Sequence, residues 1–262
     1  MAWLCLENRI SVVTGGGSGI GRAIAHDLAG ASSSVAVLDI DRKGCLATVG
    51  EIESLGKKAI AIDCDTSDPD AVSNAAARVR DELGACEILV NNAGILRAGP
   101  LSDLDYDAWN TVMSVNLNGY FLCARAFRSH MLERGGGSII QIASIAASNA
   151  QANSGAYSAA KAGVVALTKQ LAVEWGPDGI RSNAISPGMI RTPLSESFYK
   201  TPGVEERRAA AVPSRRVGVP QDIADVALFL ASDRAGYVNG AELLVDGGFD
   251  CMLMGLVPRP GY

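Results

Sequence analysis

The sequence predicts an α/β fold: one doubly wound parallel sheet of about seven strands with helices on both faces. Three observations carry this expectation. Short β-branched runs alternate with longer helical stretches along the whole chain. The strand runs are almost continuously apolar instead of alternating, as a sheet covered on both faces requires. And 262 residues at 48% hydrophobic content supply one large core, with no composition shift to mark a linker. A single domain over residues 1–262 follows.

The strands are expected at 10–14 (ISVVT), 34–39 (SVAVLD), 58–63 (KAIAID), 87–92 (EILVNN), 138–144 (SIIQIAS), 180–186 (IRSNAIS) and 241–246 (AELLVD). Helical spacing of Ala, Leu and charged residues marks 19–30, 42–56, 68–83, 102–134, 155–176 and 221–232. Strand–helix repetition of this kind implies right-handed crossovers between parallel strands. Two segments break the rhythm. Residues 187–220 hold five prolines between a strand and the last helix, and a stretch this long reads as a substrate lid. The tail 251–262 is apolar and then broken by proline. It is either a loose end or a segment packed over a ligand or a neighbouring subunit.

Charge and composition exclude several classes. A net charge of −5 argues against nucleic acid, which demands clustered Lys and Arg. The densest basic spots, Arg207-Arg208 and Arg215-Arg216, sit near Glu205 and Glu206 and read as a solvated face. Six scattered cysteines without paired spacing, behind a start lacking secretion-signal features, point to free thiols in a cytoplasmic protein. No apolar run approaches the roughly 18 residues of a membrane span. The two histidines, His26 and His130, lie far apart, so neither a metal site nor a His-dependent triad is expected.

The first chemical signal is VVTGGGSGIG (12–21), directly after a strand and opening a helix. Its glycines, Gly15, Gly19 and Gly21, follow Gly-x-x-x-Gly-x-Gly spacing. Glycine there permits a tight turn and lets backbone N–H groups approach a pyrophosphate at the positive end of the helix. The next strand ends in Asp39, about 20 residues on, where a carboxylate accepts bonds from the adenosine ribose and repels a 2′-phosphate. No Lys or Arg stands at Gly17, Ser18 or Ile40, and Arg42 opens the following helix, where a solvated role suits it. NAD is therefore favoured over NADP.

The second signal lies in SGAYSAAKAGVVALTKQLAVEW (154–175), where Tyr157 and Lys161 stand four residues apart in an otherwise Ala-, Val- and Leu-rich helix. That spacing stacks a phenol and an ammonium on one face. Taken alone, an ordinary solvated face accounts for the pair.

Together these segments resemble the classical short-chain dehydrogenase/reductases over about residues 6–248, on six landmarks in order. They are TGGGSGIG (14–21), Asp65 in CDTSD, NNAG (91–94), Asn116 in SVNLNG, the Ser144/Tyr157/Lys161 set, and SPGMIRT (186–192). The resemblance implies a Rossmann-type fold and a nicotinamide cofactor. It makes Tyr157 the general acid/base, with Lys161 and the positive nicotinamide ring expected to lower a phenol pKa that is ordinarily near 10. It also implies that Lys161 binds the nicotinamide ribose, Ser144 bonds the substrate oxygen, and Asn116 anchors a water relay. On the cofactor, Gly15, Gly17, Ser18, Gly19, Ile20 and Gly21 would form the phosphate turn. Asp39 and Ile40 would hold the ribose end, and Asp65 and the Thr66 backbone the adenine. Asn91, Ala93 and Gly94 would wall the crevice, and Pro187, Gly188, Ile190 and Thr192 would meet the carboxamide and pyrophosphate. Thr66 stands where the family commonly has Val.

The substrate segment lies between Ser144 and Tyr157, IAASNAQANSGA, with Ser148, Asn149, Gln151, Asn153 and Ser154. Such polar groups suit a small polyhydroxylated alcohol, a sugar or a polyol; a solvent-facing loop tip is the plainer account. Arg97 would meet an anionic substituent or simply be exposed, and Met189, Phe198 and Tyr199 would add an apolar roof. The implied activity is NAD-dependent interconversion of a secondary alcohol and a ketone, or of a sugar hydroxyl and a lactone. A 3-ketoacyl-thioester reductase using NADPH shares the catalytic residues, and a non-catalytic NAD-binding protein shares the fold. By resemblance the assembly is a homotetramer through helices 102–134 and 155–176.

Overall fold

The computed structural model describes residue 4 and residues 6–257. Cys5 and residues 258–262 of the tail lie outside the described residues. Seven parallel strands run in the order β3-β2-β1-β4-β5-β6-β7. They are β1 (Ile10–Thr14), β2 (Ser34–Asp39), β3 (Ala59–Asp63), β4 (Ile88–Asn91), β5 (Gly137–Ile142), β6 (Ile180–Pro187) and β7 (Glu242–Val245). The helices between them are α1 (Gly19–Gly30), α2 (Arg42–Ser54), α3 (Pro69–Glu82), α4 (Tyr106–Met113), α5 (Gly119–Glu133), α6 (Tyr157–Trp175), α7 (Glu196–Tyr199), α8 (Val204–Ala211) and α9 (Pro220–Ala231).

Both faces of the central strands are buried, which is why these strands lack alternation. Along β1, Val13 packs with Ile24 and Leu28 of α1 and Ile223 of α9, whereas Val12 joins Val72 of α3 and Phe127 of α5 on the opposite face. The same division separates Val37 from Ala36 and Leu38 in β2, and Ile140 from Ile139 in β5. Successive side chains of a strand point to opposite faces, so each apolar run feeds two cores at once.

Local chemistry sets the helix starts. Asp41, Asp68 and Asp105 cap α2, α3 and α4 by accepting bonds from Lys43, Asp70 and Ala108 N–H, and Pro69 opens α3. α1 starts differently from these three: its N-cap Ser18 makes no side-chain capping bond, and its first turn has no acidic residue. Its free N–H groups face the point between β1 and β4 where the strand order reverses, the place where open parallel sheets bind ligands.

One expectation needs correction. The segment 102–134 is not one helix: α4 begins only at Tyr106 and a π-helical turn, Ser114–Asn118, separates it from α5. The reason is Asn116 inside that turn, whose amide is spent on the backbone of Ile95. The proline-rich 187–220 carries two short helices, α7 and α8.

Candidate active site

The glycine turn is built to be approached closely. Gly15 and Gly19 adopt φ of +63° and +53°, the left-handed region that favours glycine. A Cβ on Gly15 would lie 2.8 Å from Ala93 Cα, and one on Gly21 only 2.2 Å from the Gly15 carbonyl. Gly21 therefore serves the seating of α1 on the turn. Gly17 donates its N–H to Asp39 Oδ2 at 2.8 Å, and Asp39 Oδ1 accepts from Asp41 N at 2.9 Å. The carboxylate is thus fixed at the end of β2. It lines a crevice of about 170 Å³ with Gly15, Ser18, Gly19, Ala93 and Gly94. Uncapped N–H groups, a glycine cradle and a fixed carboxylate beyond it are the donor set a dinucleotide needs, so these residues fit such a cofactor.

Next to this crevice, and sharing Ile20, Asn92, Gly94 and Thr192 with it, is a cavity of about 520 Å³. Ser144, Tyr157 and Lys161 all line it. Ser144 follows β5 and accepts a bond from Ala146 N at 3.1 Å. Tyr157 is the first residue of α6, and Lys161 lies one turn on. Lys161 is buried; its Nζ donates to Ile142 O at 2.7 Å and to the Tyr120 hydroxyl at 3.0 Å. It also lies 5.7 Å from the centre of the Tyr157 ring. Asn116 stands close by: a Cβ on Gly94 would be 3.3 Å from Asn116 Oδ1 and 3.8 Å from Lys161 Nζ.

The electrostatics correct one expectation. In the protein alone Tyr157 is not held down by its lysine. Burial raises its pKa, and a hydrogen bond with Ser144 pulls more weakly the other way. Lys161 is itself pushed down to about 7 by burial, so much of the charge expected to act on Tyr157 is discounted at neutral pH.

Other expected residues divide clearly. Pro187, Gly188, Met189, Ile190 and Thr192 line the large cavity, as do Asn149 and Gln151. Asn149 spends its amide on Asp250, whose neighbour Phe249 also lines the cavity just ahead of the 251–262 tail. Arg97 and Asn153 are exposed and belong to neither wall, and Ser154 is buried against Ser158. Asn91, expected in the crevice wall, does not line it. It ends β4 with its amide donating to Gln141 and to Tyr120 O inside the sheet, while Asn92 reaches the crevice. Strand alternation sets this: the pair NN points to opposite sides. Asp65 Oδ1 accepts from Ser67, Thr66 is buried beside Gly119, and Ile40 is exposed next to Asp39; none of the three lines the two cavities.

Two residues of the site escape a reading of the sequence. Tyr120, which closes a triangle of hydrogen bonds with Lys161 and the Ile142 carbonyl, sits in α5 with no local sign of its role. Arg208, read as part of a solvated basic pair, lies in the wall of the large cavity. The aromatics Phe198 and Tyr199 that bring it there are ten and nine residues earlier in the chain.

A parallel sheet with a phosphate-ready turn beside a half-buried Ser and Tyr and a buried Lys is the arrangement of a dinucleotide-dependent oxidoreductase. Residues 15–250 match the family described as enoyl-(acyl carrier protein) reductase. The D-threitol dehydrogenase of Mycolicibacterium smegmatis is 38% identical over 93% of this chain and 94% of its own. A putative gluconate dehydrogenase from Agrobacterium tumefaciens superposes with a TM-score of 0.91 at 34% identity, covering 95% of this chain and 98% of the other. A putative NAD(P)-dependent gluconate 5-dehydrogenase from Beutenbergia cavernae, with NADP bound at low occupancy, gives a TM-score of 0.88 at 37% identity over 93% and 97%. The chain belongs to the classical short-chain dehydrogenase/reductase family. It is an oxidoreductase acting at a CH–OH group, and its family binds a nicotinamide cofactor. Among the described residues no helix is long and apolar enough to cross a membrane, and no group of three His, Cys, Asp or Glu is placed to hold a metal.

Proposed function

We propose that the protein interconverts a small secondary alcohol and its ketone, using NAD and Tyr157 as the acid/base. The observation that carries this is one cavity lined by Ser144, Tyr157 and Lys161 that shares its wall with the crevice of Asp39. A bound oxidised nicotinamide would supply the hydride acceptor for the carbinol carbon. The chain's own residues do the rest. Ser144 holds the substrate oxygen, and Tyr157 as phenolate takes the hydroxyl proton. The positive nicotinamide ring and Lys161 offset the burial that otherwise keeps the phenol protonated. Lys161, fixed by Tyr120 and Ile142 O, binds the nicotinamide ribose, and Asn116 at the π-turn anchors a water path toward it.

Asp39 supports NAD, because a fixed carboxylate repels a 2′-phosphate. The relative with bound NADP supports the second reading, NADP use, and the two are separated by comparing turnover with each cofactor. For the substrate, the likeness to the threitol dehydrogenase and to the putative gluconate dehydrogenase supports a polyol or sugar-derived alcohol. The apolar wall of Leu96, Ile145, Met189 and Phe198 favours a small or compact molecule over a fully polar one. The test is incubation with NAD and a panel of secondary alcohols while following reduced-cofactor absorbance. Silence across linear, cyclic and polyol substrates with both NAD and NADP sinks the proposal.

A further inference from the structure

The large cavity has an unequal charge lining. Lys161 and Arg208 line it, and no Asp or Glu does. Lys161 is committed to Tyr120 and Ile142 O. Arg208 is not committed: among the described residues its side chain has no hydrogen bond and no ion pair, only ring contacts. Its guanidinium carbon lies 5.0 Å from the centre of Phe198 and 4.9 Å from that of Tyr199, both lining residues. Two other arginines of the same segment, unlike Arg208, are neutralised. Arg191 pairs with Glu196 and Glu205, and Arg216 pairs with Asp222. Glu205, one turn before Arg208 on α8, is thus taken by Arg191.

Ring contacts use the face of a guanidinium and leave its in-plane N–H fork for a carboxylate. The Tyr199 hydroxyl is buried and also has no hydrogen-bond partner among the described residues. Arg208 is thus half-buried, held against two rings and, among the described residues, unpaired in a cavity lined by no Asp or Glu, a setting that suits an anion. We propose that Arg208 is a specificity residue that binds a carboxylate of the substrate, making the preferred substrate a hydroxy acid. This rests on the proposed alcohol dehydrogenase activity. Both Tyr157 and Arg208 line the one cavity, so a single small hydroxy acid meets the acid/base and the anchor together.

The test compares hydroxy acids with their neutral methyl esters, using 3-hydroxybutyrate and 4-hydroxycyclohexanecarboxylate, in the wild type, Arg208→Gln and Arg208→Lys. The expected result is a wild-type preference for acid over ester of about tenfold or more in kcat/KM. In Arg208→Gln that ratio collapses through a rise in KM with kcat much less affected, and Arg208→Lys is intermediate because it keeps charge without the fork. An equal loss on acid and ester makes Arg208 merely structural and overturns the proposal. So does a weakened NAD affinity with the acid/ester ratio intact, which moves Arg208 to the cofactor. Preference for glycerol 3-phosphate over every hydroxy acid replaces carboxylate by phosphate and also overturns it.

A binding arm keeps the two readings apart. Cyclohexanecarboxylate and its carboxamide are titrated calorimetrically into the protein with NAD. If no alcohol turns over, yet the carboxylate binds more tightly and loses that advantage in Arg208→Gln, the activity fails and the anion site stands. If neutral alcohols turn over and charge makes no difference in either arm, the activity stands and the anion site fails.

Discussion

Lys161 donates to the hydroxyl of Tyr120 at 3.0 Å, and that hydroxyl donates in turn to Ile142 O, which Lys161 also reaches. An ammonium on α6 is thereby tied to α5 and to the end of β5 in a buried triangle. It fixes the lysine beside Asn116 and Gly94 instead of leaving it to solvent.

Burying that ammonium has a cost that depends on pH. With Lys161 lowered to about 7 from 10.5, the unfolded chain binds one more proton than the folded one between those values. Stability therefore rises with pH across that window, and the penalty is fully present below about 7. The stability difference between the wild type and Lys161→Met should move in the wild type's favour by up to about 1.4 kcal/mol per pH unit there. Urea unfolding of both proteins at several pH values measures it. A flat difference means that the lysine keeps an ordinary pKa.

Tyr157→Phe removes the proton acceptor and little else, since the ring still packs in the wall. Turnover should fall by about 10² to 10⁴ with NAD affinity retained, because general acid/base groups contribute on that scale. Steady-state rates beside a fluorescence titration of the dinucleotide decide it. Undiminished kcat assigns the proton to another group.

Asp39→Ala takes away both ribose acceptors and the charge that opposes a 2′-phosphate. The NAD-to-NADP ratio of kcat/KM should drop by roughly tenfold to a hundredfold, the scale of one or two charged hydrogen bonds. Because Asp39 also holds Gly17 N, KM for both cofactors should rise somewhat. A wild type already faster with NADP contradicts the assignment.

Gly21→Ala places a methyl 2.2 Å from Gly15 O and 2.5 Å from Asn92 Nδ2. Backbone has to move, and overpacking of this kind costs on the order of 1–3 kcal/mol. Thermal unfolding should shift down and NAD binding weaken together. Intact stability and affinity would mean that the turn and α1 tolerate separation.

What was legible in advance depended on range. β1 and β2 were placed to the residue, since continuous apolar runs bounded by polar residues leave a buried strand little freedom. The glycine turn and the Tyr157–Lys161 spacing were equally plain, because both are set by a few neighbouring positions. Asn91 and Asn92 show the limit. Adjacent and identical, they differ only in which side of β4 they leave, and the frame of that strand is fixed by its partners β1 and β5.

The sequence by itself determined the layered parallel sheet and the glycine turn after β1, for these are local patterns of period and spacing, whereas roles for Ser144, Tyr157 and Lys161 were implied only by the family resemblance. Tertiary structure alone decided that Tyr120 restrains Lys161, that burial opposes the ionisation of Tyr157, and that Arg208 turns from solvent into the cavity. Each of those depends on segments distant in the chain meeting in a low-dielectric interior, where contact and desolvation set the charge state.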